Sequence, residues 1–110
     1  MIQEDLGLDI GGSGVKGAIV DIEIGTLVSE RVRIPTPSEA SPDNIAEVIN
    51  YIIDRLNYNG PIGIGIPGPV ESGKVLRAVN LSPSWTSFDA RTFFKAKLNR
   101  SGIFLVNDAD

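Results

Sequence analysis

Hydrophobic residues near the start of the chain recur at every second position, as they do in β-strands that pack one face against a core. They lie on both sides of a glycine-rich turn: Leu6, Leu8 and Ile10 before it, and Val20, Ile22 and Ile24 after it. Asp9 falls on the other side of the first strand and is expected to point away from the packed face. The pattern predicts an antiparallel hairpin that ends at Gly25.

A third strand and a helix are predicted after this hairpin. Alternation resumes over residues 27–34 and stops at Pro35, because proline cannot continue a strand ladder. Ser41 is a suitable helix N-cap, and Pro42 suits the first helical position. Apolar residues then recur at spacings of three and four, which predicts a helix that is buried on one face and ends near Asn57. These residues are Ile45, Val48, Ile49, Ile52, Ile53 and Leu56.

Residues 61–66 are predicted to form a strand with isoleucine on one side. Its other side carries only Gly63 and Gly65, which is typical of a close approach by a packed helix or by a ligand. Pro67 and Gly68 follow at the carboxyl end of this strand, where open α/β sheets tend to bind ligands.

The last predicted elements are a short helix and a strand. Residues 86–89 resemble a capping box in which Asp89 replaces glutamate, and Gly102 is expected to cap the far end of the helix. The apolar face of this helix consists of Ala90, Phe93, Phe94 and Leu98. Residues 103–106 are apolar on both faces, as in a central strand that is covered on each side.

Composition limits the classes of function. With 110 residues, 42% of them hydrophobic, the chain has the size of one domain. A net charge of −4 and a pI of about 4.7 argue against nucleic acid as a partner. Cysteine and histidine are absent, so acid–base chemistry falls to Asp, Glu, Lys or Tyr. No apolar run approaches the roughly 20 residues that span a bilayer, and the N-terminus lacks a signal-peptide pattern, so we expect a cytoplasmic protein with no membrane partner.

The turn formed by Gly11, Gly12, Ser13 and Gly14 is a candidate phosphate site. Its glycines are expected to adopt positive φ and to let backbone N–H groups approach a phosphate, with Lys16 nearby. The segment that starts at Gly12 also matches the dinucleotide pattern G-x-G-x-x-G, but that pattern requires a following helix, and a strand is predicted here. A glycine-rich hairpin without a ligand is the alternative.

Two carboxylates, Asp9 and Asp108, lie at or near the ends of predicted central strands. We expect these first and last strands to be neighbours, so that both carboxylates lie at one edge of the sheet beside the glycine turn. A glycine-lined cradle with two acids can orient a metal ion and deprotonate an alcohol, as phosphotransferases do. An ordinary turn aspartate is the alternative for Asp108.

Several segments resemble, in the same order, the ROK family of sugar kinases in the actin, hexokinase and heat-shock ATPase superfamily, and most closely its polyphosphate glucokinases. These segments are residues 9–18, 60–68, 80–85 and 107–110. The resemblance implies an α/β fold of the ribonuclease-H-like class, whose mixed sheet has antiparallel strands 1–3 followed by parallel strands. It also implies that residues 1–110 form the N-terminal domain of a sugar kinase, with the C-terminal domain absent from this chain.

The implied reaction is transfer of a phosphoryl group from polyphosphate or ATP, with Mg2+, to the 6-hydroxyl of glucose. Asp108 would be the general base on that hydroxyl, and Asp9 would hold the magnesium through water. The other implied roles divide between the substrates: Gly11, Gly12, Ser13, Gly14 and Lys16 at the donor phosphate, and Asn107, Pro67, Gly68 and Asn80 at the sugar. The full-length protein is expected to be a homodimer.

Family members are considerably longer than this chain, so we expect little or no kinase activity from these 110 residues alone. The alternatives are a non-catalytic sugar-sensing relative, or a bare structural module, but neither requires the base implied at Asp108. Positive side chains could form a path for a long polyanion, or could simply be solvated. They are Lys16, Lys74, Arg77, Lys95, Lys97 and Arg100.

Overall fold

The structure, a computed structural model, describes residues 3–107, which form a mixed β-sheet, a small hairpin and two α-helices. The strands are β1 (Glu4–Ile10), β2 (Gly14–Asp21), β3 (Thr26–Leu27), β4 (Val32–Pro35), β5 (Ile62–Ile66), β6 (Val70–Glu71), β7 (Lys74–Val75) and β8 (Ile103–Asn107). The helices are α1 (Pro42–Leu56) and α2 (Ala90–Lys97), with a short 3-10 turn at Pro83–Trp85.

The main sheet has the strand order β3-β2-β1-β5-β8, and β4 also pairs with β2. β2 runs antiparallel to β1, β3 and β4. β5 runs parallel to β1 on one side and to β8 on the other. β6 and β7 form a separate antiparallel hairpin. The prediction of an α/β fold with an antiparallel meander followed by parallel strands is confirmed.

The prediction that the first and last strands are neighbours is wrong, because β5 lies between them. Asp9 is the register partner of Gly65, which in turn pairs with Val106. Since β1, β5 and β8 are parallel, their carboxyl ends still reach the same edge of the sheet, with β1 and β8 separated by two strand spacings of roughly 4.8 Å. Alternation assigns residues to faces but does not determine which strand backbones pair, so this order was not derivable from it.

The second and third predicted strands are shorter than their alternation suggests. Ile22 and Ile24 do not continue β2 but lie in a turn, where they are 52% and 70% exposed. Between β3 and β4 the backbone N–H of Ile19 donates to the hydroxyl of Ser29 at 2.8 Å. This side chain takes the place of a backbone carbonyl as acceptor, so the strand ladder is interrupted and the third strand divides in two.

Helix α1 agrees with its prediction at both ends. The side chain of Ser41 accepts a hydrogen bond from the N–H of Asn44 at 3.2 Å, as an N-cap does. Asn57 ends the helix in the left-handed conformation, with φ of 50°. The helix covers the face of the sheet that carries the apolar side chains of β1. Its fully buried side chains are Ile45, Ile49 and Ile52.

Helix α2 begins and ends differently from its prediction. Asp89 is itself the N-cap and accepts a hydrogen bond from the N–H of Thr92 at 3.3 Å, whereas the predicted capping box would place the cap at Thr86. Leu98 is the C-cap, so Gly102 does not end the helix but precedes β8. Within residues 3–107, neither helix combines the length and the apolar character that crossing a membrane requires.

The two helices and one face of the sheet share a single buried cluster. The other face is bare in the described part of the chain. Gly63 lies there, where a Cβ atom would meet only a carboxylate oxygen of Asp5, at 4.0 Å. Phe104 and Val106 lie beside it and are 55% and 58% exposed. The prediction that the last strand is covered on both faces is therefore wrong for residues 3–107.

Candidate functional site

The carboxyl ends of β1, β5 and β8 surround a cavity of about 540 Å³. Most of the predicted site residues line it: Asp9, Gly11, Gly12, Lys16, Pro67, Gly68, Asn80 and Asn107. Ser13 and Gly14 complete the glycine turn without lining the cavity, and Asp108 lies outside the described residues. The fold therefore brings the predicted donor side and the predicted sugar side to one edge of the sheet.

The glycine turn closes through a hydrogen bond from the N–H of Gly11 to the carbonyl of Gly14, at 3.0 Å. The expectation of positive φ is wrong, because none of the turn's glycines is among those with positive φ. Within residues 3–107, the N–H groups of Gly12 and Ser13 donate to no acceptor. Adjacent unpaired N–H groups form the kind of concavity that binds an anion.

Other atoms approach the backbone of the turn closely at two of its glycines. A Cβ at Gly12 would lie 2.7 Å from the Cβ of Asn80, and a Cβ at Gly14 would lie 2.7 Å from the guanidinium of Arg33. At Gly12 the obstacle is a Cβ atom fixed to its backbone, whereas at Gly14 it is the end of a long side chain that can move aside. The bare backbone thus lets the turn contact the loop of residues 76–85 (the Asn80 loop) on one side and β4 on the other.

Arg33 and Thr36 hold the turn, and the sequence analysis did not assign a role to either. The hydroxyl of Thr36 donates to the carbonyl of Gly11 at 2.6 Å, and the backbone N–H of Thr36 donates to the carbonyl of Ser13 at 3.3 Å. The Nη2 atom of Arg33 donates to the same Ser13 carbonyl at 3.0 Å. Only the register of β4 against β2 shows that these residues reach the turn, and side-chain alternation does not determine that register.

Charged residues form a row across three adjacent strands. Asp9 on β1 pairs with Lys16 on β2, and Lys16 pairs with Arg33 on β4. Directly paired residues share one face of a sheet, so all three lie on the face opposite the helices. Lys16 and Arg33 are exposed, and neither makes an ion pair with another residue of the described part of the chain. The row places two positive charges beside the glycine turn.

The side of the cavity predicted to bind the sugar is built from two loops that hold each other. The carbonyl of Pro67 accepts a hydrogen bond from the N–H of Val79 at 2.9 Å. Gly68 lies so close to the carbonyl of Arg77 that a Cβ atom would overlap it. Asn80 adopts the left-handed conformation, with φ of 62°, which asparagine tolerates better than most residues. These contacts hold Asn80 near the end of β5.

Trp85 anchors the far end of the Asn80 loop. It is fully buried, and its indole N–H donates to the carbonyl of Ala40 at 2.7 Å. Its ring packs against Phe88 and Phe94, with centroid distances of 5.9 and 6.0 Å. The loop that borders the cavity is therefore fixed to the aromatic part of the core.

Asp9 is the described residue best placed to serve a metal ion. It is exposed at the end of β1 and lines the cavity together with Asn107. Residues 3–107 contain no group of three or more His, Cys, Asp or Glu side chains that could hold a metal ion by themselves. Mg2+ commonly keeps several waters and binds through one or two carboxylates plus substrate phosphates. One carboxylate beside a candidate phosphate-binding turn fits such an ion.

Two of the other positive side chains considered as a polyanion path have structural partners elsewhere. The Nζ atom of Lys97 lies 3.3 Å from a carboxylate oxygen of Asp43. Arg100 donates to the carbonyls of Gly60 and Tyr58, at 2.9 and 2.8 Å. Neither residue lines the cavity at the ends of the parallel strands. Their contacts give both a role in connecting elements of the fold.

Comparison with known sequences places these features in a family. The model of the ROK family matches residues 5–110. The polyphosphate glucokinase of Mycobacterium leprae (strain TN) is 39% identical over 104 residues, which cover 94% of this chain and 32% of that protein. The polyphosphate glucokinase of Mycobacterium tuberculosis (strain ATCC 25618 / H37Rv) is 38% identical, with 94% and 39% covered. The chain thus spans well under half the length of these curated relatives.

Solved structures agree with the sequence comparison. The inorganic polyphosphate/ATP-glucomannokinase from Arthrobacter sp. strain KM matches 97% of this chain and 45% of its own, with a TM-score of 0.89 and 37% identity. The ROK family glucokinase from Streptomyces griseus, solved with glucose and AMPPNP, matches 97% of this chain and 34% of its own. Its TM-score is 0.81 at 23% identity, which shows the fold alone. The fold is the actin-like fold of ROK and hexokinase-type sugar kinases, as predicted.

Proposed function

This chain belongs to the ROK family, and from that premise we propose that it forms one side of the active-site cleft of a glucose kinase. The proposed reaction transfers a phosphoryl group from polyphosphate or ATP to the 6-hydroxyl of glucose. The observation that carries the proposal is the cavity that joins Asp9, Lys16 and the glycine turn to the Asn80 loop. The likeness to polyphosphate glucokinases and to a polyphosphate/ATP-glucomannokinase supports sugar phosphotransfer.

The glycine turn and Lys16 bind the donor phosphate in this proposal. The N–H groups of Gly12 and Ser13, which are unpaired within residues 3–107, donate hydrogen bonds to its oxygens. The ammonium group of Lys16 offsets the negative charge. Donors held in place before the reaction stabilise developing charge without reorganisation, which is commonly a large part of enzymatic rate enhancement.

Asp9 would hold Mg2+ through water at the end of β1. When bound, the ion would offset negative charge on the donor's phosphate oxygens. The carboxylate of Asp9 is exposed to the cavity, so water molecules and phosphate oxygens can complete a coordination shell there.

The sugar is positioned by Asn107 through hydrogen bonding, and Pro67, Gly68 and Asn80 border its site. The 6-hydroxyl oxygen attacks the terminal phosphorus, its proton passes to Asp108, and the bond from that phosphorus to the donor's bridging oxygen breaks. The role of Asp108 rests on the family resemblance, because this residue lies outside the described part of the chain. The full-length protein is proposed to act as a homodimer.

The base role is tested by Asp108→Asn in the full-length protein, assayed for glucose 6-phosphate formation. We expect kcat to fall by roughly 10² to 10⁴, the usual contribution of a general base, with an unchanged circular dichroism spectrum. The matched control is Asp54→Asn, which removes an exposed carboxylate of α1, and its activity should equal that of the parent. Activity of Asp108→Asn within a few-fold of the parent would contradict the base role.

Assays with polyphosphate and with ATP, side by side, test the donor class. Transfer from either donor supports the kinase, and the 110-residue chain alone is expected to transfer from neither. Glucose binding by the full-length protein without transfer from either donor would contradict the proposal and favour the non-catalytic sugar-sensing relative.

A further inference from the structure

Arg33 directs its guanidinium group at backbone, although it is exposed and has water available. Its Nη2 atom donates to the carbonyl of Ser13 at 3.0 Å, and the group packs where a Cβ of Gly14 would lie. Within residues 3–107 it makes no ion pair. A long, mobile cation held against a glycine turn loses rotamer freedom, and no carboxylate partner offsets that loss.

The contact is not needed to satisfy the Ser13 carbonyl. That carbonyl also accepts a hydrogen bond from the N–H of Thr36, at 3.3 Å. An exposed hydrogen bond of this kind contributes little to the free energy of unfolding, because water replaces it when it is lost. The arrangement therefore calls for an explanation other than fold stability.

Arg33 also lies directly opposite Lys16 in the β2–β4 register. Like charges in directly opposed cross-strand positions destabilise a sheet, and here both side chains are exposed on the same face. Asp9, opposite Lys16 on the other side, is the single carboxylate of this three-residue row, so the row keeps one excess positive charge. An anion bound beside the turn would offset that charge. The terminal phosphates of polyphosphate and of ATP have the required charge.

We propose that Arg33 is a positioning residue for the donor phosphate, a role that rests on the proposed function. It holds the carbonyl of Ser13 and packs against Gly14, and so fixes the end of the turn whose Gly12 and Ser13 N–H groups are proposed to bind the donor. In addition it supplies a second positive charge beside Lys16. Both effects act on the terminal phosphates, which the two donors share.

The test compares Arg33→Ala with Arg31→Ala in the full-length protein. Arg31 is a matched control because it is an exposed arginine two residues earlier and makes no hydrogen bond to the turn in the described residues. For Arg33→Ala we expect the donor KM to rise about tenfold with polyphosphate and with ATP, because the substitution removes a positive charge beside the terminal phosphates and releases the turn that binds them. The glucose KM and the thermal unfolding temperature should stay at parental values, and Arg31→Ala should match the parent throughout.

An unchanged donor KM in Arg33→Ala, or an equal rise in Arg31→Ala, would overturn the inference while leaving the kinase proposal intact. A rise with polyphosphate alone would also overturn it, because Arg33 would then contact the distal part of that donor. An unmutated protein that transfers from neither donor would overturn the proposed function and this inference with it.

A double-mutant cycle with Gly14→Ala gives a second measurement. The new Cβ would lie 2.7 Å from the guanidinium and displace it. We expect Gly14→Ala to raise the donor KM in the parent but to have a much smaller effect in Arg33→Ala. The effects of substitutions at two residues in contact do not simply add. Additive effects of the two substitutions would overturn the positioning role.

Discussion

At the scale of single residues, the glycines of the cavity are explained by the atoms that face them. Gly12 faces the side chain of Asn80, and Gly68 faces the carbonyl of Arg77. Gly7, on the bare face of the sheet, has its nearest neighbours at 3.9 Å, which is ordinary van der Waals contact. These glycines therefore differ sharply in what an added methyl group would do.

Gly12→Ala is expected to separate the glycine turn from the Asn80 loop, because its Cβ would lie 2.7 Å from that of Asn80. We expect kcat/KM of the full-length protein to fall by roughly 10- to 100-fold, since small displacements of positioning groups have effects of this size. Steady-state kinetics measure this fall in kcat/KM. Gly7→Ala is the control and should retain the activity of the parent. Equal activities of the two variants would show that the Gly12 contact has no part in positioning.

Residue type alone predicted part of this site. Asp9, Lys16 and the glycine turn were identified because carboxylate, amine and bare backbone are the groups that phosphate chemistry uses, and these residues lie close together in sequence. Arg33 and Thr36 were missed because they reach the turn through the pairing of two strands. Sequence spacing does not carry that information.

At the scale of elements, sequence features close to the end of an element predicted that end correctly, whereas features that depend on residues distant in sequence could not be predicted. Both ends of α1 follow from residues within one turn of them, namely Ser41 and Asn57. The interruption of the third strand depends on a hydrogen bond between Ile19 and Ser29, ten positions apart. The start of α2 was misassigned because Thr86 and Asp89 are both acceptable N-caps, and the choice between them depends on how the preceding residues pair with β7.

The observed cap of α2 predicts the effect of two substitutions on stability. Asp89→Ala removes acceptors for the N–H and the hydroxyl of Thr92, at 3.3 and 3.0 Å, so we expect the free energy of unfolding to fall by about 1 kcal/mol. Thr86→Ala should change the free energy of unfolding by no more than a few tenths of the change caused by Asp89→Ala. Denaturant unfolding measures both. A larger loss from Thr86→Ala would favour the capping box that the sequence suggested.

At the scale of the whole molecule, the sheet is packed on one face only in residues 3–107. Strand β5 presents isoleucine to the core and glycine to the other side, and Phe104 and Val106 flank it there. The sequence predicted the parallel strands and their common edge but placed β8 in the centre. A strand that is apolar on both faces can lie at the centre or at the edge of a sheet. The sequence of the strand does not say which, because it does not show what covers each face.

The bare face predicts a property of the 110-residue chain in isolation. Contiguous exposed apolar surface binds hydrophobic dyes, so the chain should enhance the fluorescence of anilinonaphthalene sulfonate while folded. The double substitution Phe104→Ser with Val106→Ser should remove most of this signal. Ile24→Ser is the control, because Ile24 is 70% exposed but lies in the turn after β2. An equal loss from the control would mean that the dye does not recognise this face.

The contact between Gly12 and Asn80 ties together two loops that serve different substrates in the proposed reaction. A bulkier side chain at either position moves both loops, so neither can be reshaped alone. Selection for a new acceptor through the Asn80 loop would therefore also disturb binding of the terminal phosphates of either donor. In this scaffold, the choice of acceptor and the affinity for the donor are expected to evolve jointly.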